Sequence, residues 1–108
     1  MRNREFMSET KASSIVIEED GKILMLHRRF PHLGLDLIGG YIDEGEPPEE
    51  AAIREAKEEA NIEILIEGKI CSFKWKDQKG SHVEHIFKAK ILRGNPFDSK
   101  EGRAKFVP

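Results

Sequence analysis

The stretch that most constrains this chain is Gly40-Tyr-Ile-Asp-Glu-Gly-Glu46-Pro-Pro-Glu-Glu-Ala-Ala-Ile-Arg54-Glu55-Ala-Lys-Glu58-Glu59-Ala-Asn61-Ile62. Its second half is expected to be a helix. Pro47 and Pro48 suit the entry and first turn, where a missing N–H costs little, and Glu49 and Glu50 favour the positive helix end. No Gly or Pro interrupts Glu49 to Ala60. At about 100° per residue, Glu55, Glu58 and Glu59 share one face. Ala52, Ile53, Ala56 and Ala60 form a second, small-residue stripe able to press on a sheet. Three carboxylates on one face repel each other, and hard divalent cations want such oxygen ligands. A solvated acidic face is the plain alternative.

The spacing of these three carboxylates leaves both readings open, and the whole stretch adds further fixed residue types at fixed offsets. A glycine is followed by five residues and Glu, then by seven residues and Arg-Glu. An apolar residue, one more residue and Glu-Glu come next, and an apolar position closes the stretch. Gly40, Glu46, Arg54, Glu55, Ala56, Glu58, Glu59 and Ile62 all fall in place. The pattern resembles the box of the Nudix hydrolases. One position departs: Asn61 stands where that family has Gly. The position follows the helix and is expected to need a left-handed backbone, for which Asn is the usual second choice.

The resemblance implies an α+β fold, the Nudix α/β/α sandwich with a mixed sheet, over roughly 14–107. The C-terminal helix usual in the family is expected to be missing. The residues around the box fit a sheet. Ser14–Ile17 and Lys22–His27 flank Asp20-Gly21 as a β-hairpin signal, and a short extended piece runs from Leu35 to Ile38. Extended segments are expected at Glu63–Glu67 and Lys69–Trp75, interrupted at Gly68. His82–Leu92 reads as a long strand, and Lys105–Val107 as a short last one. A flexible tail is expected over 1–11, and a single domain over 12–108.

By resemblance, Glu55, Glu58 and Glu59 are metal ligands for Mg²⁺ or Mn²⁺, with the Gly40 carbonyl a further ligand. Glu55 or Glu58 would orient or deprotonate the attacking water, and that choice stays open. Glu46 and Arg54 are read as a structural pair, since a carboxylate beside Arg stays ionised and is a poor base. Gly39 and Gly40 let the backbone bend near the metal. Where the family commonly has Pro before these glycines, this chain has Ile38. Glu101 is a candidate further metal ligand or base, against an ordinary loop Glu, and Glu84 is a weaker one. Arg28 and Arg29 are candidate phosphate contacts. Trp75 and Phe30 could stack on a base or simply pack in a core. His27, His32, His82 and His85 show no close ligand motif, and His82 and His85 point to opposite faces of their strand.

The implied reaction is metal-dependent hydrolysis of a pyrophosphate bond in a nucleoside diphosphate linked to a further group. A nucleoside triphosphate, ADP-ribose and a dinucleoside polyphosphate all fit, the first slightly favoured by chain size and the Glu101 loop. A nucleotide-sensing domain without turnover is the alternative, although the box carboxylates such sensors often lose are all present. The net charge of -2 argues against bulk electrostatic binding to nucleic acid or an anionic membrane. The single cysteine, Cys71, allows no internal disulfide and fits a reducing cytoplasm, where it is expected as a small buried hydrophobe. No apolar run nears the roughly 20 residues of a membrane span. Phe73, Trp75, Phe87, Ile91 and Phe106 supply more apolar surface than one helix can cover, so a homodimer is expected.

Overall fold

The protein is described by a computed structural model, which covers residues 9–28, 34–98 and 103–108. Strand β1 (Glu9–Val16) lies between β5 (Ile38–Tyr41) and β7 (Gly80–Gly94), and β6 (Ile62–Asp77) flanks β7. β1 pairs with β5 antiparallel and with β7 parallel, and β6 and β7 form an antiparallel hairpin. This mixed four-stranded sheet is joined by a small antiparallel one. There β3 (Lys22–Arg28) pairs with β2 (Glu18–Glu19), β4 (Gly34–Asp36) and β8 (Arg103–Val107). Helix α1 (Pro48–Ala60) is the single α-helix among the described residues. The architecture is the expected α+β arrangement.

The turn at Asp20-Gly21 forms as its chemistry requires. Both residues have positive φ, 53° and 78°, as a two-residue hairpin turn needs at its central positions. The strands it joins differ from expectation. Residues 14–17 do not pair with 22–27 as one ladder: the chain passes from β1 in the large sheet to β2 in the small one, with Ile17 at the crossing. Ile15 and Ile17 are both buried, so one extended run feeds the core from both sheets. β1 also begins at Glu9, which places 9–11 in the sheet rather than in a tail over 1–11.

Helix α1 starts on Pro47 and Pro48, and the Ala51 N–H donates to the Pro47 carbonyl at 3.0 Å. It ends at Asn61, with φ 58° and ψ 39°, whose N–H reaches the Ala56 and Lys57 carbonyls. The left-handed closure expected of the Asn in place of Gly is therefore present. Ala51, Ala52, Ala56 and Ala60 are buried, with Glu59 among them. Ile53, expected in this stripe, is 42 % exposed, and Ala51 takes its place. The small side chains let the helix lie close against Ile15, Ile38, Ile62, Phe87 and Ala89 in one continuous core.

β6 does not break at Gly68 but continues through irregularities beside Ile64, Gly68 and Cys71. Its downstream half carries Phe73 opposite Glu84 and Trp75 opposite His82. Because successive strand residues alternate, these pairs stand on the face away from Phe87 and Ala89. Thr10 and Ala12, in register with His82 and Glu84, share that face. Among the described residues, the mixed sheet thus has one face on α1 and the other without a covering helix. Phe87 is buried, and Ile91 and Phe106 pack against the core, while Phe73 and Trp75 stay exposed. Leu65, Ile70 and Leu92 add further exposed apolar surface. Cys71, expected to be buried, is exposed on the edge strand. No helix of the described residues is long and apolar enough to cross a membrane.

Candidate active site

The site forms where β5 enters the loop before α1. The Gly39 N–H donates to Glu59 Oε1 at 2.9 Å, which ties the helix to the strand and satisfies a carboxylate that is only 8 % exposed. Gly39 also presses on β1: an added Cβ would lie 2.2 Å from the Ser13 carbonyl oxygen. At Gly40 the neighbour is different. A Cβ there would lie 2.5 Å from the Glu55 carboxyl carbon, so only glycine lets that carboxylate rest on the backbone. The two glycines serve different partners.

Arg54 organises the loop. Its Nε and Nη2 donate to both oxygens of Glu46 at 2.8 and 3.0 Å, and Nη2 also donates to the Tyr41 carbonyl at 2.9 Å. Glu46 in turn accepts from the Asp43 N–H at 2.9 Å. The guanidinium and that N–H hold the Glu46 carboxyl at a pKa of about 2, against an ordinary 4.5. Glu46 is therefore a carboxylate locked in its charged form, as a structural role requires. The Glu46 bonds also raise the pKa of Arg54, keeping it charged.

Arg54 Nη1 further donates to Glu55 at 2.9 Å and to Glu58 at 3.1 Å. The three box carboxylates differ in setting. Glu59 is buried, Glu55 is half-buried, and the Glu58 side chain is 60 % exposed. Burial pushes the Glu55 pKa up, Arg54 pulls it down, and Glu59 and Glu58 add smaller upward pushes. The donor chemistry fits a hard cation: clustered carboxylates, one of them buried, with Arg54 offsetting two of them. Among the described residues, however, no three such groups converge on one point. The guanidinium takes up Glu55 and Glu58, and the Gly39 amide takes up Glu59.

This is a box whose glycines, Arg–Glu clamp and carboxylates all meet at one loop–helix junction. The family profile of the NUDIX domain matches residues 7–107. The chain belongs to the Nudix family. It is 36 % identical over 80 residues to a putative 8-oxo-dGTP diphosphatase of Bacillus subtilis, covering 74 % of this chain and 52 % of that protein. It is 32 % identical over 88 residues to an ADP-ribose pyrophosphatase of Haemophilus influenzae, covering 77 % and 40 %. The chain thus spans about half or less of the length of these curated relatives. A MutT NUDIX hydrolase from Burkholderia pseudomallei superposes with a TM-score of 0.77 at 27 % identity, covering 93 % of this chain and 83 % of the other.

Next to the Nudix box, a cleft of about 680 Å³ opens on the uncovered sheet face. Gly39, Gly40 and Tyr41 line it, together with Phe73, Trp75 and Glu84. Glu55, Glu58 and Glu59 do not line it, so box and cleft meet at the glycine pair. Ser14 Oγ donates to Glu84 at 2.5 Å, which places Glu84 on the cleft floor rather than in the box cluster. His82 faces the cleft and His85 the other side, as their spacing requires. Arg28 ends β3, while Arg29, Phe30, His32 and Glu101 lie outside the described residues. Sequence reasoning did not anticipate the contacts of His82 with Thr10 and Asp77 on the cleft wall. These contacts join residues up to 72 positions apart, and no local pattern signals them.

Proposed function

We propose that the chain hydrolyses a pyrophosphate bond in a nucleoside diphosphate linked to a further group, with Mg²⁺ or Mn²⁺ bound at the Nudix box. The observation that carries this is the placement of Glu59 on the Gly39 N–H and of Glu55 against Gly40, with Glu58 joined to Glu55 through Arg54 and the Arg54–Glu46 clamp holding the loop in register. Glu55, Glu58 and Glu59, with the Gly40 carbonyl, would hold the ion. When bound, a dication offsets phosphate charge and lowers the pKa of a coordinated water. For that, Arg54 must release Glu55 and Glu58 while keeping Glu46. Its two bonds to Glu46 make that exchange local, since the loop stays tied throughout.

Glu55 or Glu58 would orient or deprotonate the attacking water, whereas Glu46, locked as an anion by Arg54, is a poor base. Arg28 and Arg29 are the proposed phosphate contacts, and Glu101 the proposed further ligand. The relatives named for 8-oxo-dGTP and ADP-ribose support a nucleotide-type substrate without choosing between a triphosphate and a sugar-linked diphosphate. The same reading includes a cytoplasmic homodimer that would cover exposed apolar surface. Light scattering across a dilution series tests it, and a stable monomer at micromolar concentration would end it.

The activity itself is tested by incubating the purified chain with a panel of nucleoside triphosphates, ADP-ribose and dinucleoside polyphosphates, with and without each cation. Metal-dependent release of a nucleoside monophosphate from at least one substrate is expected. Binding without turnover across the panel would replace the hydrolase by a nucleotide sensor.

A further inference from the structure

The sheet face that carries α1 continues past the start of the helix, and there it is floored by cations. Val83 on β7 has Lys11 beside it on β1 and Lys74 beside it on β6. The next row along the same face is Ser13, His85 and Ser72. Helix α1 begins over this row, where the Ser13 hydroxyl donates to the Pro48 carbonyl at 2.8 Å. A cavity of about 670 Å³ stands on the floor, lined by Lys11, Lys74, Ser72 and His85 and walled by Ile42 and Pro48 of the box loop. Gly39, Gly40, Glu55, Glu58 and Glu59 do not line it.

The charges of this cavity are poorly matched from within. Lys11 meets a carboxylate only at 3.9 Å, from Glu9 on its own strand, and Lys74 has no ion pair among the described residues. Glu46, the other carboxylate of the lining, has both oxygens taken by Arg54. His85 reports the sign of the field. Burial, then the Lys69 and Lys11 ammoniums, hold its pKa below the ordinary imidazole value, against smaller upward pushes from Glu49 and Glu84. The ring is therefore neutral at pH 7, with one N–H to give. Its Nδ1 is buried with no hydrogen-bond partner among the described residues. A buried ring nitrogen without a partner is uncommon, because it forfeits the bond it had in water. Nothing ties the ring at that end, so it can turn about its Cβ–Cγ bond towards the cavity.

We infer that this cavity is a second anion site, apart from the box, and that it takes a phosphate-class oxyanion held between Lys11 and Lys74 with Ser72 and His85 beneath. Lys11 and Lys74 start from the strands on either side of β7, so their backbones stand two strand spacings apart, roughly 10 Å, and their long side chains can close on one ion from both sides. A dianion with four oxygens meets both ammoniums and still accepts from a hydroxyl and an imidazole N–H, whereas a carboxylate has two oxygens to share. The site stands independently of the reaction proposed for the box, whose metal-binding carboxylates lie outside the cavity. The plain alternative is a set of solvated lysines at an open sheet end.

The test uses the full chain without divalent cations, so that the box carboxylates themselves repel anions. Inorganic phosphate, pyrophosphate and acetate are titrated separately at constant ionic strength, and binding is followed by calorimetry and by the nitrogen-resolved NMR signals of the histidine rings and backbone. Phosphate or pyrophosphate is expected to bind saturably, shifting the His85 ring and the Ser72 and Lys74 amides, and acetate to bind more weakly. Lys11→Ala combined with Lys74→Ala should weaken phosphate binding about tenfold, the scale of a lost charge-assisted bond. Both lysines are exposed, so the melting temperature without phosphate should stay close to wild type. If the double variant does not fold, Lys74→Gln alone makes the same comparison and should weaken binding by less. Glu58→Gln should leave phosphate binding unchanged. The absence of any saturable shift at His85 would overturn the proposal, as would equal affinity of wild type and the folded lysine variants. Shifts confined to Gly39, Gly40 and α1, or acetate bound as tightly as phosphate, would overturn it too.

Discussion

The loop–helix junction and the β6–β7 hairpin hold their side chains by different means. At the junction the central polar groups are tied to backbone or to an opposite charge: Glu59 to the Gly39 amide, Glu46 to Arg54 and the Asp43 N–H, Arg54 to the Tyr41 carbonyl. In the hairpin the polar chain Asp77–His82–Thr10 lies beside the ring of Trp75. The first arrangement couples geometry to stability, because each tie also closes the fold. The second ties side chains of neighbouring strands on a face that stays largely exposed. Changes at the junction should therefore move melting temperature and rate together, and changes in the hairpin should move the melting temperature less.

The largest expected effect separates the two glycines within the junction. Gly39→Ala puts a methyl against the Ser13 and Ser14 backbone, which cannot yield, and should cost about 3 kcal/mol or more in chemical denaturation. Gly40→Ala meets only the end of the Glu55 side chain, so it should unfold almost as wild type does while losing rate. Equal stability losses in the two would break the distinction. Arg54→Ala comes next. It releases Glu46 and the Tyr41 carbonyl together, and should lower the melting temperature by several degrees and turnover by about one to two decades, the scale of a misplaced site. An unchanged melting curve would remove its structural role.

Acid offers a milder probe of the same tie. The Glu46 carboxyl has a pKa of about 2 in the folded chain against an ordinary 4.5, so the unfolded chain takes up the proton first as pH falls. The stability that Glu46 contributes is fully present above pH 4.5 and is lost as pH falls towards 2. Glu46→Gln should flatten that part of the acid-unfolding profile, and an unaltered profile would mean that other groups govern it. The smallest effect on the fold belongs to the hairpin. Trp75 is 43 % exposed, and Trp75→Leu should leave the melting temperature close to wild type. A large drop in melting temperature would make the ring a brace of the fold.

The sequence made the junction legible because its constraints are local. Pro47 and Pro48 open the helix, Asn61 closes it in a left-handed conformation, and Glu46 meets Arg54 over eight positions. The turn at Asp20-Gly21 was legible for the same reason. What escaped depends on contacts between distant strands. Residues 14–17 leave one sheet for another because Ile15 and Ile17 must both reach the core, which alternation alone does not express. Ile53 was misplaced because helical spacing defines a face without saying where the sheet ends. Glu59 was read only as a ligand, although its burial and its bond to Gly39 also give it a structural role. For that reason a rate loss in a Glu59 variant would mix two causes.

Glu58 avoids that ambiguity. Its side chain is 60 % exposed and bonds to Arg54 Nη1, a group that Glu46 and Tyr41 hold independently, so its removal should cost the fold little. Turnover of Glu58→Gln, measured at saturating Mg²⁺ on the best substrate of the panel and paired with its melting curve, tests most directly whether the Nudix box is the reaction centre. The expected result is a rate lower by about two to four decades with a wild-type melting temperature, the scale of losing a key charge in a reaction centre. Turnover near that of wild type would contradict it.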